Sequence, residues 1–291
     1  MTPLLGIDIS HHQGREGMSR LRFRALDKAG VGFAIIRASI GTLTDGAFGP
    51  NRERAEAQGW EVGAYHYLVA DTVADVGRQM DTFARTVREH GGLSDAVPMF
   101  IDVEWTRDEP RLRWRRDVQA AADALRRELP PKRHVNVYTS EGYWRALGNP
   151  DGAETFDELW QARWPRGRVD EATDLPERPP LAGFGGWRRS PLWQFGPLRY
   201  RAGGHPQSLD GNAWYGTAEG FRALGGESVP SPLPDRPRYR AGHNALLDSV
   251  LLALPGIEPA SMPGPAWPAG VEAAREALAA ALGELRIEGG T

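Results

Sequence analysis

The chain contains no cysteine among its 291 residues, so neither a disulfide nor a thiolate metal ligand can form. Lysine is nearly absent: Lys28 and Lys132 stand alone, and every other cationic chain is an arginine. That bias speaks of composition more than of mechanism. The net charge is −3, which leaves no broad basic field for nucleic acid or an anionic membrane surface. No apolar run approaches the ~18 residues that a membrane span requires. The first strand-like run begins at Leu4, leaving no room ahead of it for a basic leader and an apolar core. The expectation is synthesis in the cytoplasm without a signal peptide. What is present is ordinary globular composition, 41% hydrophobic and 25% charged.

Along the chain, strand-like and helix-like patterns alternate. Strand-like runs lie at 4–9 (LLGIDI), 33–38 (FAIIRA), 62–67 (VGAYHY), 97–104 (VPMFIDVE), 134–139 (HVNVYT), 159–163 (LWQAR) and 191–195 (PLWQF). Between them, Val76, Met80, Phe83 and Val87 recur at helical spacing, as do Val118, Ala122, Leu125 and Leu129 ahead of Pro130-Pro131. Strand-then-helix repeats imply a parallel sheet, and this number of units over about 220 residues points to a barrel. The helix-poor stretch 163–190 predicts an α/β fold whose (β/α) barrel is incomplete or flattened. Residues 1–224 then form the barrel and 225–240 a proline-rich linker. Residues 241–291 read as a small C-terminal helical appendage, a hairpin whose two apolar stripes need cover.

The run 97–105, VPMFIDVEW, is apolar up to Ile101 and then places Asp102 and Glu104 two positions apart. Alternation on a strand points both the same way, with Cα atoms roughly 6.5 Å apart. At the C-terminal end of a barrel strand that direction is the mouth, where active sites of such folds lie. Two acids that close couple their ionisations, so one can hold a proton while the other stays charged, the division that glycoside hydrolysis requires. An isolated D-x-E is common and can be no more than a solvated strand end. Here Asp8, in GIDISHHQG, and Asp210, in QSLDGN, bring further acids to what the topology makes one rim.

These stretches carry a resemblance. GIDISHHQG, VGAYHY, FIDVE, VYTSEGYW, LWQA, LWQF and LDGN follow the order and spacing of the glycoside hydrolase family 25 muramidases, and the chain resembles these peptidoglycan-cleaving, endolysin-like lysozymes from about residue 4 to about residue 222. The resemblance implies a barrel-like β/α fold and hydrolysis of the β-1,4 bond between N-acetylmuramic acid and N-acetylglucosamine in bacterial peptidoglycan, without a cofactor. It gives Glu104 the general acid/base role. Asp102 becomes the carboxylate that assists at the reacting carbon or orients the N-acetyl group, with Asp8 and Asp210 as supporting acids. One departure stands out: where the family has a Lys-Ala-x-Glu-Gly turn after the second strand, this chain reads RASIG, with Arg37 and Ile40.

Clefts that bind sugars need aromatic platforms with polar tips. Tyr65 and Tyr67 alternate onto one side, and Tyr138, Trp193 and Gln194 stand at strand ends, which makes these five the candidate substrate-binding residues. His66 alternates to the opposite side of its strand, towards a helix. His11 and His12 lie near Asp8, but no His-x-x-x-His or Glu-x-x-His spacing accompanies them, and no metal is expected. The D-x-E spacing favours the shorter carboxylate separation of a retaining enzyme. Two other classes remain open: a barrel that grips peptidoglycan without cutting it, and a phage-particle component. The C-terminal stripes carry few basic residues, which favours self-association or docking within a particle over attachment to the wall by charge.

Overall fold

A computed structural model describes residues 2–70, 73–104, 111–164, 175–179 and 181–227. The chain divides into two compact units, Met1–Pro237 and Arg238–Thr291. The second unit, and with it the expected helical hairpin and most of the linker, lies outside the described residues.

Nine strands form one sheet: β1 (Leu4–Ile9), β2 (Val31–Ile40), β3 (Leu43–Thr44), β4 (Glu61–Tyr67), β5 (Met99–Asp102), β6 (Asn136–Ser140), β7 (Leu159–Ala162), β8 (Leu192–Ala202) and β9 (His205–Trp214). Strands β1, β2 and β4–β8 pair in parallel in that order; β9 then runs antiparallel between β8 and β1, closing a ring of eight. The short β3 hangs on the end of β2 as a hairpin arm. The ring of strands is therefore complete. Helices α1 (Arg20–Lys28), α2 (Phe48–Glu56), α3 (Val73–Glu89), α4 (Ala120–Glu128) and α5 (Glu141–Ala146) follow the early strands, but among the described residues none lies between β7 and β9. Sequence periodicity located α3 and α4. In α3, Val76, Met80, Phe83 and Val87 are all buried, and Leu129 turns to extended geometry at the end of α4, just before the two prolines.

The parallel strands are largely apolar because both faces are covered. Residues of one parity pack outward against the helices: Leu5, Ile7, Ile9, Ala34, Ile36, Ile101 and Val137 join the helix residues in one large core. Residues of the other parity fill the barrel, with Phe33, Ile35, Phe100, Trp160, Leu192 and Trp214 in a second core. Helix α6 (Ala218–Ala223) plugs the bottom, where the Phe221 ring lies 4.7 Å from Phe33. Buried Arg133 then donates to three carbonyls, Leu93, Val97 and Gly225, at 2.6, 2.8 and 2.6 Å. Beside that latch, the Glu227 N–H reaches the Lys132 carbonyl. Among the described residues no helix is long and apolar enough to cross a membrane.

Candidate active site

Seven parallel strands deliver their C-terminal ends to one rim, so side chains of inward parity near those ends share the mouth. On β5 the inward residues are Phe100, deep in the barrel, and Asp102 above it. Asp102 is 5% exposed and stands in register between Tyr67 of β4 and Tyr138 of β6. Glu104, two residues on, is half-buried where the strand gives way to loop.

The other two acids come from the strands that close the ring. Asp8 on β1 faces Asp210 on β9 directly in register. One oxygen of Asp8, Oδ2, accepts from both Asn212 Nδ2 at 2.8 Å and Gln194 Nε2 at 3.0 Å. Gln194 Oε1 in turn accepts from the Tyr138 hydroxyl at 2.9 Å and the Trp164 indole N–H at 3.2 Å, while Asn212 Oδ1 accepts from the Trp160 indole N–H at 2.8 Å. One polar chain thus joins β6, β7, β8, β9 and β1 across the mouth.

The electrostatics follow from this crowding. Burial, then the neighbouring charges of Asp210 and Glu104, push the Asp8 carboxyl up to about 7, against the opposing pull of its two amide donors. Asp210, although solvent touches it, is also raised by desolvation. The Tyr138 phenol is raised well above its ordinary value by burial and by Glu104, Asp102, Asp8 and Asp210 together. All four acids therefore act on one hydroxyl. Burial, followed by Asp8, raises the half-buried Tyr65 in the same way. A cluster in which one carboxyl changes charge near neutrality beside three others is equipped to move protons.

The mouth brings together eight of the nine residues expected from sequence. Tyr65 and Tyr67 are half-buried on the inward face of β4, and Tyr65 meets Trp160 edge-on. Gln194 is there too, with its amide committed to Asp8, Tyr138 and Trp164. Trp193 is not. It is 3% exposed, packs with the outer core and donates its indole N–H to the Arg163 carbonyl at 2.7 Å. Neighbours on a strand face opposite ways, so Trp193 and Gln194 cannot both line the mouth. Sequence reading missed Asn212, Trp160 and Trp164. Asn212 shares the inward parity of Asp210, and Trp160 and Trp164 share one parity, the only signal available.

The RASIG departure also has a structural account. Arg37 points inward from β2 beside Tyr65, is buried, and donates to Asp45 Oδ2 at 2.8 Å and to His11 Nδ1. Burial alone would raise Asp45; the Ala47 N–H and the Arg37 guanidinium outweigh it and hold the carboxyl below its usual range. Among the described residues no group of three or more His, Cys, Asp or Glu could hold a metal ion.

The model of the glycosyl hydrolases family 25 matches residues 7–203. The chain belongs to that family. This family 25 chain is a glycosidase, and the matched span takes in the end of β1 and all of β2 to β8, together with Asp8, Asp102 and Glu104. Its fold is similar to a bacterial lysozyme from Streptomyces coelicolor, with 25% identity and a TM-score of 0.58 over 76% of this chain and 96% of that one. A family 25 glycosyl hydrolase from Bacillus anthracis shares the fold at 22% identity and a TM-score of 0.57, covering 76% and 93% of the two chains. So does the catalytic domain of an endolysin from a bacteriophage of Listeria monocytogenes, at 19% identity and a TM-score of 0.55, covering 76% and 97%. No curated protein sequence matches the chain.

Proposed function

We infer that this glycosidase is a muramidase, hydrolysing the β-1,4 bond between N-acetylmuramic acid and N-acetylglucosamine in bacterial peptidoglycan. The observation that carries the reading is the position of Asp102 and Glu104. Asp102 ends a buried strand between two tyrosines, Glu104 follows two residues on and acts on Asp8, and both act with Asp8 and Asp210 on the Tyr138 hydroxyl. Glu104, the more accessible of the pair, protonates the leaving glycosidic oxygen and then takes a proton from the attacking water. Asp102 stabilises the positive charge that develops on the sugar ring, directly or by orienting the substrate's acetamido group. Asp8 and Asp210 shape the field in which this happens, and Tyr65, Tyr67 and Tyr138 offer ring faces and hydroxyls to the sugar. The short D-x-E spacing favours retention of configuration. Action on the cell wall follows from the substrate, and the fold shared with the Listeria phage endolysin fits a phage lysin as the biological setting.

The test is digestion of purified cell walls. New reducing ends on muramic acid, read by mass spectrometry of the released muropeptides, support the assignment; glucosamine ends point to a different specificity, and no release at all leaves a binding module. Glu104→Gln should lower turnover at least ~100-fold through loss of general acid–base help, with the melting temperature little changed. Near-normal clearing by that variant removes Glu104 from the chemistry.

A further inference from the structure

Trp164 differs from the other large aromatics of the barrel. It follows β7 at the rim, and its side chain is left open, with 62% of the residue exposed. Among the described residues the only comparably exposed large apolar side chains are Leu21 and Leu43, at 57% and 69%. An exposed indole at the edge of a polar cleft is expected to swing between rotamers unless something holds it, and here two things do. Its N–H is tethered at 3.2 Å to Gln194 Oε1, the atom that also accepts from Tyr138. The five-membered ring of the indole lies against Gly196: a Cβ built there falls 3.1 Å from both Cγ and Cδ2 of the indole. Gly196 has φ +102°, a conformation that L side chains rarely adopt, and it sits where the β8–β9 register shifts between Gln194 and Gly196. Bulges of this kind re-aim side chains beside active sites. This one clears the space in which the ring lies.

We propose that Trp164 is a sugar-stacking platform of the cleft, held by Gln194 and backed by Gly196, that binds the face of a pyranose ring of the glycan chain. The proposal rests on the muramidase reading and adds a binding position to it. The occupant follows from chemistry: a pyranose offers an apolar C–H face that suits an open aromatic ring, and its equatorial polar groups can reach the acids beyond Gln194. Because Gln194 also donates to Asp8, the platform is fixed relative to the acid cluster through one side chain. Gln194 acts here as a positioning residue and Trp164 as the group that touches substrate.

The test uses the full chain with solubilised, uncrosslinked peptidoglycan strands as probe. Trp164→Ala should raise KM about tenfold, the loss of a stacking contact of ~1.4 kcal/mol, with a smaller change in kcat because such a contact holds ground state and transition state alike. Trp164→Tyr should recover most of that loss, since it restores a flat face. Binding is read separately, by glycan-induced change in tryptophan fluorescence in the Glu104→Gln background, where turnover does not interfere. Trp164→Ala in that background should weaken binding by a similar factor. Unchanged KM and unchanged binding overturn the platform while leaving the muramidase reading intact. So does a pure kcat loss, which would place Trp164 in the chemistry instead. A protein that neither cuts nor binds the strands refutes the muramidase reading, and the platform falls with it.

Discussion

Tyr65 and His66 are adjacent on β4 and face two different media. Tyr65 looks into the barrel mouth, His66 into the layer between strands and helices, and the polar groups of the two regions are treated in opposite ways. In the layer, His66 is fully buried and bonded on both nitrogens: Nε2 to Gln79 Oε1 at 3.2 Å and Nδ1 to the Ser39 hydroxyl at 2.8 Å. Gln79 Oε1 can only accept, so Nε2 carries the hydrogen. Burial drives its pKa down to about 3. In the mouth, burial drives Asp8 up to about 7, and two amides hold it without completing it. The same physical cause removes a titration from the working pH range in one region and brings one into it in the other. A buried polar group in a structural layer is silenced. One in the mouth is poised.

The largest test of that contrast is acid stability. Below its ordinary value of 6.5 the unfolded chain protonates His66 while the folded chain does not, so stability present above that pH is lost as pH falls towards about 3. The loss is on the order of 4–5 kcal/mol for a group this deeply buried. Chemical denaturation at a series of pH values should show this slope, and His66→Phe should flatten it whatever it does to the plateau.

Asp8 has the opposite sign. Its folded pKa lies above its ordinary 3.8, so the folded chain holds the extra proton and stability falls as pH rises from about 4 towards 7, then levels. Asp8 is partly reached by solvent, which reduces the effect to about 2 kcal/mol. The same denaturation series with Asp8→Asn should lose this slope.

A smaller effect probes what holds Asp8. Asn212→Ala removes a donor that favours the ionised form, so the carboxyl should titrate above about 7 in the variant, visible in the 13Cγ shift of labelled aspartate. Activity on cell walls should fall about tenfold as Asp8 loses its fixed orientation. The smallest effect belongs to Tyr138→Phe, which deletes one hydrogen bond to Gln194 and should cost about 1 kcal/mol of stability by denaturant midpoint.

What was legible in the sequence follows from the same two media. The parallel strands are covered on both faces and write themselves as apolar runs, so seven of the ring's eight strands could be read, and the acids that interrupt or end such runs stood out. Strand β9, HPQSLDGNAW, was not legible as a strand because much of its first half is exposed hairpin wall, and only Leu209 and the residues from Gly211 to Trp214 are buried. Asn212, the partner that fixes Asp8, was hidden with it. Helix α2, FGPNRERAE, was missed because it buries Asn51 and Arg52 in place of an apolar stripe, with Asn51 Oδ1 accepting the Met18 N–H at 2.7 Å. Trp193 and Gln194 look alike as polar-tipped residues at a strand end, but alternation on β8 turns Trp193 to the outer core and Gln194 to the mouth.

The closing strand has a consequence in time. Asp8 is made with the first strand, but Gln194 and Asn212, which hold it, come 186 and 204 positions later. At ordinary rates of synthesis roughly 10–40 s separate Asp8 from Asn212. Pairing across so long a loop is also intrinsically slow. The pair Asp102 and Glu104 is therefore on the ribosome, and β5 can already be forming, well before the field of the mouth exists. Asp8 gains its two amide partners only once β9 stands between β8 and β1, so a half-made barrel carries its acids without their setting.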